Sequence, residues 1–100
     1  MGVNMKMIQQ MQTRLEKMQR ELAETVVEGT AGGGVVKAQV TAAREFRGIS
    51  IDPSVVDPDD VDVLEDLVTV AIQDAMNRAN ALAEEKMGAV TGGLNIPGLM

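Results

Sequence analysis

The sequence predicts an α+β domain in the order helix, three-stranded antiparallel sheet, helix, and three features of the chain predict it. An apolar seam with helical spacing runs from Ile8 to Leu22. A β-branched stretch of period two follows from Thr25 to Asp52, interrupted by Gly32-Gly33-Gly34, and Asp57-Pro58 then opens a second helical stripe.

In the first helix, placed over about residues 3–24, Ile8, Met11, Leu15, Met18 and Leu22 recur at spacings of 3, 4, 3 and 4. On a 3.6-residue wheel Lys6, Gln10, Thr13, Lys17 and Arg20 fall on the opposite side. One face packs and the other carries positive charge. Three strands are expected next, over about 25–31, 35–42 and 46–52, with the glycine run as the first hairpin turn because glycine accepts positive φ. Val36, Ala38, Val40 and Ala42 alternate with Lys37, Gln39 and Thr41, while Phe46, Ile49 and Ile51 form the apolar side of the third strand. The link Ala43-Arg44-Glu45 holds no glycine.

Pro53 ends the sheet, since it cannot donate to a ladder. Asp57 is expected to cap a helix over about 58–87, with Pro58 at its first position, Asp59, Asp60 and Asp62 near its positive end, and Gly88 as its stop. Its apolar stripe reads Val61, Leu64, Val68, Ala71, Ala75, Ala79 and Leu82. Residues 1–87 make one domain and 88–100, with four glycines and Pro97, a flexible tail. Helices of about 33 and 45 Å must overhang strands of about 24–27 Å. Such overhanging seams and a second sheet face need cover, and a homodimer is the simplest way to supply it.

Composition removes most enzyme chemistry. The 100 residues include no Cys, His, Trp or Tyr, and Phe46 is the sole aromatic. That excludes a disulfide framework, a Cys/His zinc site and every imidazole-based triad. No cofactor or metal is expected. Gly29-Thr30-Ala31-Gly32-Gly33-Gly34 is followed by Val35 and Val36 rather than the Lys and Ser/Thr of a phosphate loop, so it reads as a turn. Asp57, Asp59 and Asp62 lack the glycine of a calcium loop and read as helix-start residues. No run approaches the roughly 18 apolar residues of a membrane span, and the start lacks the features of a signal peptide, so the expected compartment is the cytoplasm.

The net charge of −6 is unevenly placed. Residues 1–24 and 25–51 each carry a net of +1, whereas 52–100 hold ten acids against Arg78 and Lys86. The acidic run suits dipole compensation and solubility. On the first helix, Glu16 and Arg20, Lys17 and Glu21, and Arg20 and Glu24 all lie four apart. A salt-bridged solvated face and a phosphate-binding face are therefore both open on residue spacing alone.

Several pieces in order carry a resemblance. They are Met11-Gln12 and Met18-Gln19, the turn entering Gly34-Val35-Val36-Lys37, Ile49-Ser50-Ile51-Asp52-Pro53-Ser54, Leu64-Glu65-Asp66-Leu67-Val68, Asp74-Ala75, and Glu85-Lys86-Met87 before Thr91-Gly92-Gly93-Leu94. Together they resemble the YbaB/EbfC family of bacterial nucleoid-associated proteins over nearly the whole chain. The resemblance implies a homodimeric DNA-binding protein with protruding helical arms, located in the nucleoid and acting in nucleoid organisation or gene regulation. The second hairpin departs from the Asn-Gly often found there, and the N-terminus is short.

The resemblance directs attention to Lys6, Arg14, Lys17 and Arg20 on the first helix, and to Arg78 and Lys86 on the second, as phosphate contacts. A single aromatic cannot supply the stacking of a single-strand binder, so duplex DNA is the expected partner, read with weak sequence preference. The competing expectation is a non-catalytic scaffold whose acidic helix and Met-rich seam engage a recombination or repair protein. Salt dependence of DNA binding separates the two.

Overall fold

The computed structural model describes residues 5–90. It contains α1 (Met5–Glu24), β1 (Val26–Ala31), β2 (Val36–Thr41), β3 (Phe46–Ile51), one 3₁₀ turn at Pro53–Val55 and α2 (Val61–Val90). The strands form one antiparallel sheet in the order β1-β2-β3. The helix–sheet–helix order expected from the sequence is the order found; the expected tail beyond residue 90 and the first four residues lie outside the described residues.

Pleating sends Val36, Ala38 and Val40 of β2 to one face, where all three are buried under α2. Their partners Ala31, Gly29 and Val27 on β1 share that face. The helix answers with Ala71, Ala75 and Ala79, also buried. Small residues on both sides let backbone approach backbone, most closely at Gly29. A Cβ there would overlap Ala75 N and Ala71 O and come within 2.6 Å of Ala75 Cα. A second cluster sits beyond the sheet's end, where Met18 and Leu22 of α1 pack with Ala42, Leu82 and Ala83.

The turn between β1 and β2 runs through Gly32, Gly33 and Gly34 at φ of 61°, 76° and 101°, which is why three glycines stand there. The second hairpin reaches the same kind of backbone with Arg44 at φ 68°, a costlier choice in the absence of glycine. Arg44 Nη1 donates to Asn80 Oδ1 at 3.2 Å, tying this turn to α2. Between Gln39 and Val40 the register slips, so that Arg47 is the extra residue of a bulge on β3. Its Nη2 donates to Ala23 O at 3.3 Å, supplying a cation at the C-terminal end of α1, whose last turn holds no base of its own.

Three expectations for the second helix are corrected. It starts at Val61, not 58: Asp57 Oδ1 accepts from Asp59 N and Asp57 O from Asp60 N, both at 2.9 Å. Asp57 thus closes a separate turn ahead of the helix instead of capping it. Gly88 does not stop α2, which continues to Val90. A helix-interior glycine costs only about 1 kcal/mol. It terminates a helix where a left-handed turn rewards it, and Gly88 is not among the glycines with positive φ. The expected stripe also shifts, with Val61 exposed and burial complete only at the three alanines.

The edges of the sheet differ. Thr30 N on β1 donates to Asp74 Oδ2 on α2 at 3.0 Å, so α2 shields that edge. On β3, Phe46, Ile49 and Ile51 lie opposite Val40, Ala38 and Val36 and share the apolar face, yet they are exposed. On α1, every residue from 5 to 17 is exposed, including seam residues Ile8, Met11 and Leu15. The molecule measures 69 × 28 × 16 Å with a radius of gyration of 19.0 Å. A compact chain of this length would have a radius near 13 Å.

Candidate nucleic-acid interface

At 100° per residue, Lys6, Gln10, Arg14, Lys17 and Arg20 of α1 fall within an arc of about 120°. Lys6, Gln9, Gln10, Thr13 and Arg14 line a shallow surface depression of about 530 Å³. The structure thereby adds Gln9 to this face, and brings Gln10 and Thr13, already placed on it by spacing, together with Lys6 and Arg14. Thr13 Oγ1 donates to Gln9 O at 2.9 Å, so its proton is already used within the helix.

The three pairs that spacing allowed on α1 do not form. None of Glu16 and Arg20, Lys17 and Glu21, or Arg20 and Glu24 comes within 4.0 Å among the described residues. The guanidinium and ammonium groups of Arg14, Lys17 and Arg20 are held in no ion pair there. Residues 5–20 carry four cations against Glu16, and the two remaining acids, Glu21 and Glu24, sit in the last turn, where α1 meets the body of the molecule. The projecting part is therefore the basic part.

The two cations on α2 are placed differently. Arg78 Nε donates to Asp74 Oδ2 at 3.2 Å, although most of the side chain stays exposed. Lys86 lies one turn past Leu82 and Ala83, beside Glu84 and Glu85. The described contacts do not gather either with the α1 cations.

Asp74 joins three elements. The Thr30 N–H, and next the Arg78 side chain, hold its carboxyl below the ordinary value near 3.8. The backbone and side chain of Ser54 do the same for Asp52 at the 3₁₀ turn. A carboxylate with a depressed native pKa gives the native state fewer bound protons than the unfolded chain, so its stabilisation is complete above the ordinary value and disappears as pH falls through the native one. With no His in the chain, side-chain titration leaves stability nearly level from about pH 5 to 8. Thermal melts followed by circular dichroism should show this plateau and a decline below about pH 4. Asp74→Asn should lower the plateau and flatten part of the decline; an unchanged acid-side slope would refute the role given to Asp74.

No helix among the described residues is long and apolar enough to cross a membrane. Groups of three or more His, Cys, Asp or Glu arranged to hold a metal are absent among the described residues.

Comparison with known proteins bears on the family and the fold. The chain is 56% identical over 90 residues to a nucleoid-associated protein of Chloroflexus aurantiacus, covering 90% of each chain. It is 48% identical over 93 residues to one of Dictyoglomus turgidum, covering 93% of this chain and 89% of the relative. A crystal structure of an uncharacterized Helicobacter pylori protein has the same fold, with a TM-score of 0.71 at 17% identity over 90% of this chain and 91% of that one. The profile of the YbaB/EbfC DNA-binding family matches residues 1–94, nearly the whole length. The basic helix and the helix–sheet–helix body thus stand in a chain that belongs to the YbaB/EbfC DNA-binding family.

Proposed function

We propose that the protein acts as a homodimeric, non-enzymatic nucleoid-associated protein that grips duplex DNA between projecting α1 arms. Binding goes mostly through phosphates with low sequence preference, affecting nucleoid organisation or gene expression from within the cytoplasmic nucleoid. The observation that carries this reading is the exposed half of α1 with four cations along one face, of which Arg14, Lys17 and Arg20 are held in no ion pair among the described residues. Lys6 and Arg20 are 14 residues apart, about 21 Å along the helix, a span of several phosphates of one strand. Lys6, Arg14, Lys17 and Arg20 are assigned the main contacts, with Arg78 and Lys86 as outer ones.

Sheet geometry supports a pair of such arms. The β1 edge is shielded by α2, while the apolar side of β3 lies open at Phe46, Ile49 and Ile51. A second copy applied there buries both patches and places two basic helices on one particle. Phe46 belongs to this patch, which leaves no aromatic platform for single strands.

The test is fluorescence anisotropy with an arbitrary labelled duplex, read together with scattering mass. Binding at low salt is expected, with two chains per complex and a log–log salt slope between roughly −3 and −7, set by four cations on each arm. A duplex of unrelated sequence should bind within about tenfold, because phosphate contacts carry no sequence information. Absence of binding at every salt concentration would reject the proposal.

A further inference from the structure

At the end of the molecule away from α1 there is a second uncovered apolar surface. Val63, Leu67 and Val70 of α2, spaced as one helical stripe, line a notch of about 300 Å³ with Ala31, Gly32 and Asp66. Val63 and Val70 are about half exposed. Asp66 is the charged residue of the lining, and the segment from Asp52 to Asp74 that carries the stripe includes eight acids and no base, of which Asp74 is engaged by Arg78. The seam on the free half of α1 has the matching properties. Ile8, Met11 and Leu15 form a helical stripe of the same length, Met7 widens it, all are exposed, and the surrounding residues 5–20 hold four cations against one acid.

We propose that the free half of α1 in one copy seats in the acidic-rimmed notch of another copy, so that copies associate head to tail. The seam supplies the apolar filling for the notch, Arg14 lies at its flank, and the opposite charges of the two ends orient the encounter. A chain's own α1 cannot be the occupant. Met18 and Leu22 fix that helix to Leu82 and Ala83, twelve residues and about 18 Å of helix beyond Val70. Because the two surfaces are different, the contact is heterologous and can repeat from copy to copy. The cationic face lies opposite the seam on α1, so seating in the notch leaves it turned outward. This inference does not rest on the proposed DNA binding or on pairing through β3.

Sedimentation equilibrium of the full chain without DNA tests it. The wild-type average mass should rise with concentration beyond two chains at low salt and fall back at high salt, since exposed charges are screened over about 8–10 Å at moderate ionic strength. Asp62→Lys with Asp66→Lys removes the acidic rim, and Ile8→Glu with Met11→Glu spoils the seam. All four positions are exposed on helices, and circular dichroism verifies that each variant folds. Each variant alone should stop growing, whereas in an equimolar mixture each intact seam meets an intact notch, so the average mass should recover to above that of either variant alone by this one contact, without the open-ended growth of wild type. Wild-type mass that never exceeds two chains overturns the inference. So does growth of the rim variant equal to wild type, or a mixture that fails to recover.

Discussion

Replacing Gly29 by alanine should cost the domain about 3 kcal/mol or more, and valine at that position should leave little folded protein. The new Cβ meets backbone, Ala71 O and the Ala75 N and Cα, so no side-chain rotation relieves it. Relief requires α2 to lift from the sheet, which opens the contact of Ala71, Ala75 and Ala79 with Val36, Ala38 and Val40. A domain this small has a stability of only about 5–15 kcal/mol, so the alanine variant should melt roughly 12–24 °C lower. Gly48→Ala is the matched control, because its Cβ reaches nothing nearer than Gln39 Oε1 at 3.7 Å. It should stay within about 0.5 kcal/mol of wild type. If both variants melt alike, close approach of α2 is not what the glycine at position 29 serves.

Gly29 also illustrates which parts of the fold could be read from sequence. A lone glycine inside a strand pattern signals a bulge or a close approach, but the identity of the approaching element depends on contacts some forty residues away. Alternation in β2 was legible from Val36 to Val40, where both neighbours and α2 enforce it, and Val36, Ala38, Val40 and Ala42 are all buried as the pattern requires; it fails at Thr41, expected on the outward side but fully buried, with its Oγ1 accepting from Glu45 N in the second hairpin. The seam of α1 was legible as a periodicity and not as burial. Met18 and Leu22 meet α2, while Ile8, Met11 and Leu15 extend past everything in the protomer. Helix ends were least legible, since Asp57 and Gly88 have the chemistry of caps but local hydrogen bonding and the lack of a left-handed turn decided otherwise. For the candidate site, spacing showed which cations share a face. It left open whether the neighbouring glutamates neutralise them, because an i,i+4 pair on an exposed helix is worth only a few tenths of a kcal/mol and does not oblige the side chains to meet.

That same weakness makes charge reversal on α1 the decisive measurement for function. Lys6→Glu, Lys17→Glu and Arg20→Glu together should reduce duplex affinity by more than about a hundredfold at low salt, effectively abolishing binding. The fold should persist, since Lys17 and Arg20 make no ion pair among the described residues and all three positions are exposed. New repulsion between Glu side chains four apart costs only about 0.3 kcal/mol per pair. Neutral Gln at the same positions separates loss of attraction from added repulsion. It should weaken binding less and make the salt slope shallower by about one for each engaged cation removed. Arg78→Gln should have a smaller effect than any α1 neutralisation, because Asp74 already engages its Nε. Thr30 N–H would still hold the Asp74 carboxylate in that variant, so its stability provides an internal check. Undiminished binding in the folded triple Glu variant would move the DNA contact off α1 and leave its exposed basic face without the role assigned to it.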